Sequence, residues 1–317
     1  MPPSAAPRRE AAVPYAGPMP TRTISPPDGP IDLPGTMFPL RRGYQDPTTA
    51  ISSSEALRAL RTPDGPATIH LRSVGSAIEA EAWGPGADRA LADAPGLVGA
   101  GDDWSGFEPQ DDLVRRLRHE HPGLRLTRTG AVTATLIPAI CEQKVTGADA
   151  RRAYRLLTSE TSESAPGPGQ LMLPPDPARL AELPSFAYHR CGLERRRADV
   201  IRGVCARAGR IDALAAAPLD EAKAALLRLP GIGPWTVAEV ARLALGDPDA
   251  VSVGDFHLPN LVAWLLAGEP RGTDERMLEL LAPYAGHRGH VQLLLEVSGM
   301  HAPRYGPKLE SRSIAEH

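Results

Sequence analysis

Two short segments in the first third of the chain, residues 67–72 and 77–82, alternate apolar and polar side chains. A period of two is the signature of strands with one buried face. Val74, Gly75 and Ser76 lie between them and predict a hairpin turn, and a helix is expected over 87–91. After Leu124 the period lengthens to three to four residues in segments 131–145, 148–158, 194–208, 219–228, 235–246, 256–267, 273–282 and 289–299, each predicting an amphipathic helix. Residues 160–184, rich in proline and glycine, read as a loop. The pattern predicts a mainly α chain with a small α+β N-terminal domain. Its expected organisation is a disordered Pro-rich leader at 1–36, an α+β domain with an antiparallel sheet at 37–122, a helical domain at 123–301 and a flexible tail at 302–317.

Composition changes this picture only at the edges. Ten of the 34 prolines fall within residues 1–36, which argues against regular hydrogen bonding there. No apolar run is long enough to span a bilayer, and the N-terminus lacks the apolar stretch of a secretory signal. A cytoplasmic protein is expected. Three scattered cysteines, Cys141, Cys191 and Cys205, supply neither a disulfide framework nor a four-thiolate metal site. A net charge of -3 and a pI near 6.3 do not advertise nucleic-acid binding. Between Arg190 and Arg210, however, five further arginines face only Glu194 and Asp199. That run is either a local basic face or an ordinary solvated helix surface.

The chemistry-bearing segment runs from Leu229 through Pro230, Gly231, Ile232, Gly233, Pro234 and Trp235 to Thr236, between two predicted helices. Gly231 and Gly233 permit a tight bend, and Ile232 is placed to plug the gap between the helices. Outward amides and the start of the second helix would then form a donor site for a phosphate oxygen and its associated cation. A plain turn is the alternative. Twenty residues beyond Trp235, Asp255 opens the next helix. An aspartate there caps the helix, and the same hold fixes its direction as an electrostatic catalyst requires.

This hairpin, followed at fixed distance by Val253, Gly254 and Asp255, resembles the helix-hairpin-helix DNA glycosylase superfamily, and within it the bacterial 3-methyladenine DNA glycosylase II family. Residues 136–145, with Ala139, Ile140, Glu142, Gln143 and Val145, and residues 192–201 are similar to two further helices of that family. The resemblance spans about residues 120–300, and it implies a small N-terminal α+β domain as well.

The resemblance implies a monofunctional glycosylase that flips an alkylated purine out of duplex DNA and cuts its N-glycosidic bond with Asp255. Bifunctional relatives carry a lysine where Trp235 stands, so no lyase chemistry is expected. Trp235, Glu239 and His287 are the expected base pocket, with the indole either stacking on the base or packing in the core. Gln143 and Lys144 match loop residues that enter the minor groove. Leu229, Gly231, Ile232, Gly233 and Thr236 are the other expected DNA contacts. No cofactor is required beyond a monovalent cation at the hairpin. His287 and His290 lack a nearby acid or cysteine in sequence to complete a metal set. The expected partner is double-stranded DNA holding a damaged base, bound by a monomer at the nucleoid. Two alternatives stand: a glycosylase for uracil or deaminated bases, and a non-catalytic hairpin DNA-binding module.

Overall fold

The computed structural model describes residues 20–26 and 29–303. The alternating segments pair as expected. β1 (Thr21–Ile24), β2 (Thr49–Ile51), β3 (Glu55–Thr62), β4 (Gly65–Val74) and β5 (Ala77–Trp83) form one antiparallel sheet in the order β1-β5-β4-β3-β2. Along β5 the side chains of Ile78, Ala80 and Ala82 are buried, and those between them stay half-exposed. The helix Ala87–Leu97 lays Ala90, Leu91, Ala94 and Leu97 over this face, closing a core with Ile69 and Leu71.

The expectation of an irregular leader through residue 36 is corrected. Thr21–Ile24 takes the sheet edge against β5. Leu33–Met37 is a short helix, with Asp32 capping the amide of Gly35 and Pro34 in the first turn. Proline is harmless in a first turn, where its missing N–H would have no partner anyway. Leu33 and Met37 are fully buried in the sheet's core, so these residues are part of the domain. Residues 1–19, and the tail from 304 onward, lie outside the described residues.

All eight predicted helices form, with ends shifted by a few residues. The segment expected at 235–246 is the helix Pro234–Val240 continued by a π-helical turn, Ala241–Leu245, and ended by Gly246 in the left-handed conformation. Within the expected loop 160–184, Ser164 and Met172 form a bridge and Pro177–Glu182 a helix capped by Asp176.

The helical part has two cores. One joins the helices Val132–Glu142, Gly147–Thr161, Arg195–Cys205, Leu219–Leu227 and Pro234–Val240. The other joins Leu258–Ala267, Asp274–Leu281 and Arg288–Val297 to Val114 and Leu117 from the helix Asp112–Glu120. Residues 112–122 therefore pack with the C-terminal helices rather than with the sheet, which departs from a boundary at 122. Among the described residues no helix is long and apolar enough to cross a membrane.

Candidate active site

Between the two helical cores lies a cleft of about 230 Å³. One wall comes from Glu142, at the end of the helix Val132–Glu142, and from Trp235, Glu239 and Arg242. The opposite wall comes from Leu258 and Leu261 and from Gln292 and Glu296 on the last helix. Asp255 and His257 sit at the join.

The bend that carries Trp235 is built as the sequence suggests, with the two glycines in different roles. Gly231 has a φ of +80°, and a Cβ there would stand 2.2 Å from Val200 Cγ2, so both conformation and space demand glycine. Gly233 is extended, and a Cβ there would face open space. Ile232 is buried in the first helical core, as expected of a plug, while Leu229 packs half-buried against it.

Asp255 does both things that its position allows. Oδ1 accepts the backbone N–H groups of His257 at 2.7 Å and Leu258 at 2.8 Å, capping the helix Leu258–Ala267. Oδ2 accepts the indole Nε1–H of Trp235 at 3.0 Å. Three N–H donors from two elements thus fix the carboxyl group at the edge of the cleft. The loop before it is held in turn by Asp274, which accepts the amide of Gly254 at 3.0 Å.

Behind Trp235 the floor is a buried charge network. Arg242, on the π-helical turn, donates to Glu296 at 2.6 Å and to Glu239 at 3.2 Å. Ser252 Oγ donates to Glu239 as well, and Gln292 bridges Ser252 and Glu296. Burial is the strongest single influence on Glu239 and opposes its ionisation. The charges of Arg242 and Arg42 and the hydroxyl of Ser252 together outweigh it, holding the carboxyl below the usual glutamate range. Glu239 lines the cleft with its acceptors already engaged by Arg242 and Ser252.

His287 does not join this cleft. It precedes the helix Arg288–Val297, and its ring meets Phe107 edge-on and pairs with His290, the two Nδ1 atoms 3.0 Å apart. On a helix, positions 292 and 296 share a face that 287 and 290 do not. Gln292 and Glu296 therefore reach the cleft, and His287 turns toward the Trp104–Phe107 cluster. His290 is stacked on Trp104 and hydrogen-bonds Asp102 at 2.9 Å, an acid distant in sequence that the fold brings close. Among the described residues no group of three or more His, Cys, Asp or Glu is placed to hold a metal ion.

Gln143 and Lys144, adjacent in sequence, are placed differently. The side-chain amide of Gln143 donates to the carbonyl of Gly231 and to the hydroxyl of the buried Thr236, both at 3.0 Å, tying the end of one helix to the bend. Lys144 is exposed and has a φ of +56°, the left-handed region that few non-glycine residues occupy. A second groove, flanking the bend, is lined by Arg195, Arg196 and Arg207 together with Val200, Pro230 and Gly231. Three arginines of the run thus lie beside the bend, along with Asp199, while Arg197 turns inward to donate to the carbonyl of Cys141 and Arg190 pairs with Glu160.

Sequence reasoning missed Glu142, Arg242, Gln292 and Glu296 as cleft residues. Only the last two carry a signal, polar residues at i, i+4 in a helix whose other positions are largely apolar.

No protein-family model matches the sequence. A 39-residue stretch is 49% identical to a probable bifunctional transcriptional activator/DNA repair enzyme AlkA of Mycobacterium tuberculosis, covering 12% of this chain and 8% of that protein. The chain thus matches only a small part of that relative's length. Solved structures with a similar fold include a 3-methyladenine DNA glycosylase from Archaeoglobus fulgidus, with a TM-score of 0.71 and 18% identity over 86% of this chain and 96% of that one. An 8-oxoguanine glycosylase/lyase from Clostridium acetobutylicum, in complex with double-stranded DNA, gives a TM-score of 0.65 and 11% identity over 89% of this chain and 97% of that one. A third is the 3-methyladenine glycosylase of Schizosaccharomyces pombe in complex with abasic DNA, with a TM-score of 0.51 and 18% identity over 62% of this chain and 96% of that one.

Proposed function

From a chain that carries the fold of the helix-hairpin-helix DNA glycosylases, we propose a monofunctional DNA glycosylase that removes alkylated purines from duplex DNA in base excision repair. The observation that carries this reading is the carboxyl group of Asp255, held by three N–H donors at the rim of a cleft between the two helical cores. A hairpin module that only binds DNA has no need of such a group. A damaged nucleotide rotated from the stack enters the cleft, at a cost of a few kcal/mol that is smallest for weakly stacked bases. Positive charge grows on the deoxyribose as the base departs, and the fixed carboxylate of Asp255 stabilises it without having to reorient. Alkylation at N3 or N7 makes the purine cationic and a good leaving group, so this stabilisation suffices.

The indole of Trp235 has two tasks in this account. Its N–H aims the carboxyl group, and its ring lines the cleft where an extruded base would stack. Trp235 stands where the resemblance places a lysine in bifunctional relatives, which supports hydrolysis without strand nicking. The bend and its arginine groove hold the strand, with Pro230 and Gly231 of the bend and Arg195, Arg196 and Arg207 alongside. A monovalent cation bound there with DNA would share the carbonyl oxygens of Leu229 and Gly231, which already accept from Ile232 N–H and Gln143. With Gln143 tied to the bend, Lys144 is the side chain left to enter the minor groove.

The test is direct. Duplexes each holding one modified base are incubated with the protein, and strand breaks are measured with and without alkali. Breaks at alkylated purines that need alkali are the expected result. Breaks without alkali contradict the monofunctional reading, and excision confined to uracil or deaminated bases replaces the substrate.

A further inference from the structure

The cleft holds more acid than its chemistry requires. Glu142, Glu239, Asp255 and Glu296 line it, against the guanidinium of Arg242 in the lining and that of Arg42 paired to Glu142 behind it. Three of these carboxyl groups have their oxygens engaged. Glu239 is held by Arg242 and Ser252, and Glu296 by Arg242 and Gln292. Asp255 is held by the indole and two amides. Glu142 differs. Its Oε1 pairs with Arg42 at 3.2 Å, and its Oε2 has no hydrogen-bond partner among the described residues. The side chain is about one quarter exposed, and what is exposed opens on the cleft.

We infer that Glu142 reads the extruded base, its free Oε2 accepting a hydrogen bond from an exocyclic amino group of a base that carries positive charge. Arg42 acts as the positioning residue. This rests on the glycosylase reading above and supplies what that reading leaves open, the means by which a cleft with a single indole selects its substrate. A neutral base entering the cleft leaves its excess negative charge unrelieved and displaces the water that solvated it. A cationic base offsets that charge, and an amino group satisfies the open acceptor, a charge-assisted contact roughly twice as strong as a neutral one. Burial is the strongest influence on Glu142 and raises its affinity for a proton, with the charge of Glu239 adding to it and those of Arg42 and Arg151 opposing it.

Arg42 gives the N-terminal domain a part in this. It follows the turn Phe38–Leu40 that packs on the sheet, and its backbone N–H is anchored by Asp46 Oδ2 at 2.6 Å. Its guanidinium crosses to the end of a helix in the other domain. The sheet domain thereby sets the orientation of a cleft carboxylate a hundred residues away in sequence.

The experiment compares single-turnover excision of 7-methylguanine, cationic and amino-bearing at mildly acidic pH, with that of hypoxanthine, neutral and without an exocyclic amine. Both stand at the same position of one duplex, and the proteins are the wild type, Glu142→Gln and Glu142→Asp. Glu142→Gln is expected to lower the ratio of the two rate constants about tenfold to a hundredfold, with Glu142→Asp recovering part of it. An unchanged ratio in Glu142→Gln overturns the inference while the glycosylase reading stands. Excision of no lesion by the wild type overturns both. Should Glu142→Gln lack a cooperative unfolding transition, competition on the wild type decides. 7-Methylguanosine is expected to inhibit at lower concentration than inosine, and equal inhibition overturns the inference.

Discussion

At the residue scale the proposed catalysis turns on the indole N–H of Trp235, which donates to Asp255 Oδ2. Trp235→Phe keeps an aromatic ring in the cleft and removes the donor. The carboxyl group then keeps only its helix-capping bonds on Oδ1 and is free to rotate. Excision under single turnover is expected to slow by about tenfold, equivalent to roughly 1.4 kcal/mol of lost transition-state stabilisation. Affinity for an undamaged duplex should change little, since binding rests on the bend. A full loss of DNA affinity would place Trp235 in the interface instead. Asp255 and Trp235 were singled out in the sequence through the resemblance carried by the glycine bend and the aspartate at its fixed distance, and the fold brings the two side chains together. Glu142 and Arg242 were not, since they are far apart in sequence and share a cleft wall only because their helices pack into the same core. The choice of His287 failed for a related reason. Its side of the last helix became known only once the face bearing Gln292 and Glu296 was fixed by packing.

At the scale of elements, the cleft floor ties the helix Pro234–Val240, the π-helical turn after it and the last helix through Arg242. The side chain of Arg242 is 5% exposed, so its partners are not optional. Glu239→Ala leaves the guanidinium facing Glu296 alone and is expected to cost about 3 kcal/mol, the lower end for breaking a buried pair. Because Glu239 is held below the ordinary value of 4.5, its contribution is complete above that pH and is lost as pH falls through the depressed value. Urea unfolding should show a constant gap between wild type and variant near neutral pH, closing in the acid range below 4.5. A gap independent of pH down to full acid unfolding would mean that Glu239 contributes by packing only. Elements with strong periodicity were read correctly, but β3 was not anticipated. Its sequence, EALRALRT, places apolar residues as a helix would and uses good helix formers. Pairing with β2 and β4 on both edges overrides that local preference. β1 escaped notice because an edge strand next to proline depends on its partner, β5, rather than on its own composition.

For the whole molecule, the formal charge of -3 hides a separation of charge. The cleft is acidic, and the groove beside the bend is basic. Replacing Arg195 and Arg196 together by alanine is expected to weaken binding to every duplex alike. It should also reduce the slope of log affinity against log salt by about 2, roughly one for each lost phosphate contact. A slope that does not move would place the duplex elsewhere on the surface. The most direct test of the central claim is Asp255→Asn, assayed on a duplex with one alkylated purine for both binding and release of the free base. Asparagine still caps the helix and fits the same space, so the expected result is retained lesion binding with base release slowed by at least a hundredfold. Release at the wild-type rate would contradict the account.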